Sequence, residues 1–319
     1  MVWDNTKDHY HTHLLFNLHC IGTALSLIGS LWAIYFCLRS RGFKKIHLRF
    51  VFAIILSDFF YAISNLLAIF DGPKPKVNTI CASDAFIRVW SFTLILYFAT
   101  CLTILCFKRV KYGADFNQGL YFRRCVIIGV IFCIWLTAGP AFLPKTRYAN
   151  GDLCCDIIVE DPANAFEFIV TIMHGAIPII AMLGISLIAY IATIIVFRGY
   201  PPALVKENKN IYKLFWYPAV LFIIFGPGLT DIYTINFFAE TDENYFWLEV
   251  VHLLMTRCSG ILNAFVFGVQ MRNHYYSQKE IRQIRSENYR QEEAVSSEID
   301  LSRDRLNSLS TEVRAALLA

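Results

Sequence analysis

Charged residues are scarce in this chain. Asp, Glu, Lys and Arg make up 17% of its 319 residues, whereas roughly 25% is usual in soluble domains, and hydrophobic residues make up 56%. Such a composition leaves little polar surface for contact with water, so a membrane protein is favoured over an unusually apolar soluble α-helical protein. The net charge of +4 gives no indication of a nucleic-acid partner, and we expect none.

Long apolar runs account for the shortage of charge. A helix that crosses a bilayer needs roughly 20 mostly apolar residues, and the runs are continuous rather than alternating, which excludes a membrane β-barrel. Seven stretches meet this requirement: Leu14–Leu38, Phe50–Phe70, Val89–Phe107, Cys125–Leu143, Phe166–Phe197, Leu214–Phe238 and Phe246–Val269. The sequence therefore predicts an all-α fold, a polytopic bundle of seven transmembrane helices.

Basic residues are distributed unequally between alternate loops. One set of loops holds fourteen Lys and Arg residues, whereas the other set, together with the N-terminus, holds only Lys7, Lys74, Lys76, Lys145 and Arg147. Cytoplasmic loops carry the excess of basic residues, so the N-terminus is expected outside and the C-terminus inside. The predicted parts are a short extracellular N-terminus (1–13), a seven-transmembrane domain (14–270) and a cytoplasmic tail (271–319).

Motifs of enzymes, metal sites and cofactor sites are lacking. The histidines are dispersed, no Gly-rich phosphate loop is present, and the seventh stretch has no Lys that could bind retinal as a Schiff base. We therefore expect no enzymatic activity, catalytic residue, metal or cofactor. A small seven-helix transporter remains the alternative, although its two similar halves are not visible.

Three of the ten cysteines fall in the predicted extracellular part. Cys81 lies at the head of the third stretch, and Cys154 and Cys155 lie in the second outer loop. A bridge from Cys81 to Cys154, or alternatively to Cys155, would hold that loop over the mouth of the bundle. Three free thiols are the other possibility.

Several local strings carry a family resemblance. The second stretch contains Ser57-Asp58, the sixth opens with Trp216-Tyr217-Pro218, and residues 260–268 read Gly-Ile-Leu-Asn-Ala-Phe-Val-Phe-Gly. With the topology and the extracellular cysteines, these strings resemble the cyclic-AMP-receptor-like (class E-like) family of G-protein-coupled receptors. The third stretch ends in Cys106-Phe107-Lys108-Arg109 and lacks the acid-Arg-aromatic triplet of the largest receptor family. The resemblance implies a nucleotide or another small polar ligand and a cytoplasmic heterotrimeric G protein.

Asp58 lies deep inside the second stretch, about nine residues or roughly 13 Å from its inner end. An ionised carboxylate at this depth must face the bundle interior and find partners there. Asn263 of the seventh stretch is at a comparable depth, and Ser57 and Ser259 could complete a polar cluster. We predict an inner polar network of these four residues that repacks when a ligand binds; static helix–helix contacts are the alternative.

A second group of charges lies toward the outside. Asp231 in the sixth stretch and Arg257 in the seventh are predicted to form an outer latch between these helices. The candidate residues of a ligand pocket are Arg88, Trp90, Glu249 and His252. Arg88 and Arg257 could instead act as counter-ions of an anionic ligand, and Asp84 could pair with Arg88 four residues away.

Helix-breaking residues predict a hinge in the sixth stretch. Pro218, Gly226 and Pro227 each remove or weaken backbone hydrogen bonds. Together these features predict a multi-pass plasma-membrane receptor that binds an extracellular small molecule among the outer ends of spans three, five, six and seven. Movement of the sixth helix would then activate the G protein.

The predicted topology can be tested with epitope tags in cells. A C-terminal tag should bind antibody only after permeabilisation, and an N-terminal tag should bind on intact cells, because the basic loops hold the C-terminal side inside. Labelling of the C-terminal tag on intact cells would contradict the predicted topology.

Overall fold

The computed structural model describes residues 5–39, 45–71, 79–113, 116–138, 146–150, 155–159, 176–199, 219–220, 222–227 and 243–269. In chain order its elements are α1 (Asn5–Arg39), α2 (Ile46–Asp71), α3 (Thr79–Tyr112), α4 (Gln118–Ala138), β1 (Thr146–Asn150), β2 (Cys155–Val159), α5 (Ala176–Arg198), α6 (Glu243–Arg257) and α7 (Ser259–Val269). Residues 222–227 are also helical. The chain divides after Gly268 into two units, and the first contains all the helices named here except the last residue of α7.

Five of these helices are long and apolar enough to cross a membrane, namely α1 to α5. Helices α6 and α7 meet at an angle of 51°, and they make a sixth candidate span if the bent pair is one span. Only eight residues of the sixth apolar stretch are described, at 219–220 and 222–227. The described residues therefore contain five or six helices that could cross a membrane, whereas the count of seven spans stays a prediction.

Two features of the fold were not predicted. Helix α1 begins at Asn5, nine residues before the apolar stretch at Leu14, so part of the expected N-terminal segment is helical. Strands β1 and β2 form an antiparallel hairpin between α4 and α5, in the loop that the sequence predicts to lie outside, with Thr146 opposite Val159 and Asn150 opposite Cys155. The hairpin packs against α3.

Helix α3 occupies the centre of the bundle. It contacts α2, α4, α5 and both strands of the hairpin, while α1 packs on α2 and α6. Its buried face repeats at helical spacing through Cys81, Asp84, Arg88, Ser91 and Ile95. Because this helix is surrounded by its neighbours, polar residues along the face can contact other helices instead of lipid.

Large apolar side chains point outward from the other helices. The exposed fraction is 63% for Ile28, 65% for Ile131, 68% for Ile188 and 70% for Phe265. The buried set in turn includes many Ser, Thr and Asn residues. Lipid is as apolar as a leucine side chain, so helices pack in it through close contacts and hydrogen bonds rather than by hiding apolar surface.

The contacts of α3 with α5 and with α4 include both interhelical hydrogen bonds and close approach. The hydroxyl of Ser186 on α5 donates to Thr100 Oγ1 on α3 at 3.0 Å, and Thr100 Oγ1 lies 3.2 Å from the Met182 carbonyl oxygen. Between α3 and α4, Gly129 leaves room for an aromatic ring: a Cβ atom there would lie 2.4 Å from Cε1 of Tyr97. The absence of a side chain at Gly129 therefore allows these two helices to approach each other.

Gly129→Ala should destabilise the bundle by about 1–3 kcal/mol, because the added methyl group must displace the Tyr97 ring. Gly184→Ala in α5 is the matched control, since a Cβ atom there meets nothing within 4 Å. Thermal unfolding of the detergent-purified protein measures both variants. Equal melting temperatures for the two would contradict this account of the α3–α4 contact.

Candidate functional site

Two ends of the bundle can be distinguished by their residues. The hairpin end is where α2 ends, α3 begins and the hairpin lies; the basic end carries Arg39, Lys45, Arg109, Lys111 and Arg198 at helix termini. Burial lowers the pKa of the Lys45 ammonium, and the positive charge of Arg109 acts in the same direction. The start of α2 and the end of α3 therefore lie close enough for their charges to interact.

Asp58 lies at the centre of a hydrogen-bonded group that joins α2 to α7. Its carboxylate is completely buried. Oδ1 accepts a hydrogen bond from the Ser259 hydroxyl at 3.0 Å, and Oδ2 accepts one from Nδ2 of Asn263 at 2.8 Å. Both carboxylate oxygens thus have a donor from α7, which lowers the free-energy cost of burying the acid.

Ser57, the fourth residue of the predicted inner network, bonds elsewhere. It is buried, but its hydroxyl donates to the Ala53 carbonyl oxygen of its own helix at 2.9 Å. Neighbouring residues of a helix point about 100° apart, so Ser57 and Asp58 point in different directions from α2. The structure thus brings Asp58, Ser259 and Asn263 together and leaves the Ser57 hydroxyl on the α2 backbone.

A second buried polar group lies closer to the hairpin end, around Arg257 at the end of α6. The guanidinium donates from Nη1 to Oδ1 of Asn65 and, at 3.2 Å, to the Tyr61 hydroxyl. It also lies 5.6 Å from the centre of the Tyr61 ring, within the range of a cation–π interaction. Arg257 is only 5% exposed, and Asn65 and Tyr61 of α2 provide two of its polar contacts.

Helix α1 contributes a histidine to this group. His19 Nε2 lies 3.2 Å from the Asn65 carbonyl oxygen, and the imidazole is within electrostatic reach of Arg257 and Arg88. Arg88 is 8% exposed on the buried face of α3. Two guanidinium groups and an imidazole therefore share the hairpin-end half of the bundle interior.

The other candidate pocket residues lie apart from this group or outside the description. Trp90 is two positions after Arg88, so the two side chains point about 200° apart around α3. The ring of Trp90 packs against that of Phe60 on α2, with the ring centres 6.1 Å apart. The structure therefore does not place Trp90 and Arg88 on one face. His252 is half-buried on α6, whereas the side chain of Glu249 lies outside the described residues.

The predicted outer latch and hinge are only partly within the described residues. Asp231 and Pro218 lie outside them, so the pairing of Asp231 with Arg257 stays a prediction. Gly226 and Pro227 belong to the helical residues 222–227. This segment contacts α3 through Phe225, whose ring is 4.8 Å from that of Phe92 in an edge-to-face arrangement.

Cys81 is buried and takes part in a disulfide bond. Its partner is not among the described side chains, so the choice between Cys154 and Cys155 stays a prediction. Within the described ranges, no group of three His, Cys, Asp or Glu side chains could hold a metal ion.

Sequence reasoning overlooked Tyr61, Asn65 and His19. A signal for them exists, because Asp58, Tyr61 and Asn65 follow one another at intervals of three and four residues along α2. The same spacing links His19, Thr23, Ser26 and Ser30 on α1, and all four are buried. Read as helix faces, these residues predict a polar side on α1 and on α2.

Asn263→Leu should lower the free energy of unfolding by about 1–3 kcal/mol, because the buried Asp58 carboxylate loses a hydrogen-bond donor. The double variant Asp58→Leu/Asn263→Leu should be less destabilised than the sum of the two single variants, since it leaves no unpaired carboxylate. The free energies of unfolding of the unmodified protein, the two single variants and the double variant, measured in detergent micelles, give the coupling energy between Asp58 and Asn263. Additive effects would show that the contact carries no net coupling.

Comparison with known proteins shows the fold but no family. No protein-family model and no curated protein sequence matches the chain. Its structure is similar to the crystal structure of squid rhodopsin, with a TM-score of 0.63, 14% sequence identity and coverage of 81% of both chains. At this identity the likeness concerns the fold alone: the described helices are arranged as in the fold of squid rhodopsin.

Proposed function

We propose that the protein is a G-protein-coupled receptor that binds an extracellular small molecule and activates a cytoplasmic heterotrimeric G protein. The single observation that carries the proposal is the rhodopsin-like fold over 81% of the chain. The buried polar groups around Arg257 and Asp58 support it, because intramembrane charges mark functional sites more often than simple packing sites.

The charges at helix ends support the proposed orientation. Arg39, Lys45, Arg109, Lys111 and Arg198 lie at one end of the bundle, and an excess of basic residues is typical of the cytoplasmic side. We therefore assign the basic end to the cytoplasm and the hairpin end to the outside of the plasma membrane. Basic side chains at this surface would also bind anionic lipid headgroups.

The proposed ligand pocket lies at the hairpin end and includes Arg88, Glu249 and His252. Buried guanidinium groups favour an anionic or strongly polar ligand, which agrees with the nucleotide-like signal that the cyclic-AMP-receptor-like resemblance implies. Trp90, whose ring packs against that of Phe60 on α2, stays a candidate member of this pocket. The disulfide of Cys81 with Cys154 or Cys155 would hold the second outer loop over this pocket.

Signal transmission is proposed to run through the sixth and seventh stretches. Release of an Asp231–Arg257 latch would free the sixth helix to move about Pro218, Gly226 and Pro227. The hydrogen bonds of Asp58 with Ser259 and Asn263 would then rearrange, and the basic end would open for the G protein. The Phe92–Phe225 contact supports a direct connection between α3 and the moving helix.

A ligand screen in cells, read as recruitment of a G protein to the membrane, tests the proposal. A ligand should increase recruitment, and Asp58→Asn should change the ligand-independent level while surface expression is retained, because the neutral amide alters the hydrogen bonds to α7. Ligand-independent solute flux in vesicles containing the purified protein, without recruitment in cells, would favour the transporter alternative. An Asp58→Asn variant with unchanged basal and ligand-stimulated recruitment would contradict the proposed role of the network.

A further inference from the structure

The seventh apolar stretch is interrupted at a position enclosed by other helices. Helix α6 ends at Arg257, α7 begins at Ser259, and their axes differ by 51°. In an uninterrupted α-helix the amide of Gly260 would donate to the carbonyl oxygen of Thr256, four residues earlier. An unpaired amide inside a membrane costs several kcal/mol, so the bend requires another acceptor.

Helix α1 provides that acceptor. The backbone N–H of Gly260 donates to the hydroxyl oxygen of Ser26 at 2.8 Å, and both residues are buried. In soluble proteins a serine usually fulfils this role at the start of its own helix. Here the serine belongs to a helix more than two hundred residues earlier in the chain, so this hydrogen bond forms only while α1 and α7 are in contact.

The approach of α1 depends on the absence of a side chain at Gly260. A Cβ atom at this position would lie 2.3 Å from Ser26 Oγ and 2.6 Å from Ser30 Oγ. Thr256, on the other side of the bend, donates its hydroxyl to the His252 carbonyl oxygen at 2.8 Å. Such bonds from a threonine to the preceding turn often bend helices.

The bend lies between the two buried polar groups. Arg257, immediately before it, contacts Tyr61 and Asn65, whereas Ser259, immediately after it, donates to Asp58. A change in the bend angle therefore alters the geometry at both groups.

We propose that the hydrogen bond from the Gly260 amide to Ser26 holds the seventh stretch bent, and that this stretch has a second, straighter state. In the bent state the Gly260 amide donates to Ser26; in the straighter state it donates to the Thr256 carbonyl oxygen, as in a regular helix. The change of acceptor keeps the amide satisfied in both states, which permits the change inside lipid. This inference rests on the proposed function only for its consequence, the transfer of a signal from the Arg257 group to the Asp58 group.

The movement would be large at the hairpin end. Helix α6 has 15 residues. At 1.5 Å per residue its length is about 22 Å, so complete straightening would displace its first turn by more than about 10 Å relative to α2. Trp247 near that end of α6 and Phe70 near the end of α2 are 66% and 79% exposed. Probes at these positions can therefore report on the bend.

The test measures the distance between spin-labelled amino acids incorporated at Trp247 and Phe70 in the full-length protein in lipid nanodiscs. Ser26→Ala should raise the ratio of straight to bent molecules about fivefold to tenfold, because one buried hydrogen bond is lost. Ser26→Thr, which keeps the hydroxyl, should restore the original distribution.

Ser30→Ala is the matched control. Ser30 lies one helical turn from Ser26, is equally buried and is also close to Gly260, but its hydroxyl has no hydrogen-bond partner among the described residues. Its distance distribution should equal that of the unmodified protein. The proposal would be wrong if the distribution of distances between the two spin labels were the same in Ser26→Ala and in Ser30→Ala.

A second variant covers the case in which Ser26→Ala does not fold. Ser26→Cys keeps a weak acceptor of similar size and should shift the distribution in the same direction but less far. An unshifted distribution for this folded variant would likewise refute the proposal.

These measurements require neither ligand nor G protein, so their failure leaves the receptor assignment intact. If the unmodified protein recruits no G protein with any ligand while Ser26→Ala shifts the distance, the result would count against the receptor assignment and not against the role of Ser26.

Discussion

The polar groups of this protein must satisfy one another, because lipid offers them no hydrogen bonds. Asp58 is the clearest case: a fully buried carboxylate between α2 and α7, with one donor from Ser259 and one from Asn263. An aqueous protein could expose such a side chain or surround it with water. Here the two hydrogen bonds favour one rotation of α2 and α7 about their axes, since rotating either helix would separate the acid from these donors. The Gly260 amide, held by Ser26, obeys the same constraint at the level of the backbone.

This constraint explains why α1 and α2 present polar residues to the seventh stretch. The buried faces of these helices contain His19, Ser26, Tyr61 and Asn65, whereas large aliphatic side chains point to the lipid. Arg257 is consequently surrounded by α2 and α1 rather than left in hydrocarbon. In the mechanism proposed above, a change in the bend between these two groups would couple them and would give the receptor a route through the membrane besides the sixth helix.

The rhodopsin-like fold is reached here with 14% identity and without the acid-Arg-aromatic triplet at the end of the third helix. At the end of α3, the Nζ atom of Lys108 lies 4.9 Å from the centre of the Tyr121 ring at the start of α4 and 5.6 Å from the centre of the Phe116 ring. The ends of α3 and α4 are thus held by cation–π contacts with neighbouring rings. The same fold is therefore compatible with very different side chains at this end of the third helix.

The sequence by itself determined the helical membrane architecture, because runs of about 20 apolar residues leave no other stable structure in lipid. It also indicated that Asp58 and Asn263 meet, since two polar residues at equal depth have few other partners. Only the tertiary structure decided that Ser57 bonds to its own helix, that Arg257 faces Tyr61 and Asn65, and that the seventh stretch breaks at Cys258. These facts depend on the rotation and separation of helices that are distant in sequence. Apolar periodicity cannot report such rotations when lipid and bundle interior are almost equally apolar.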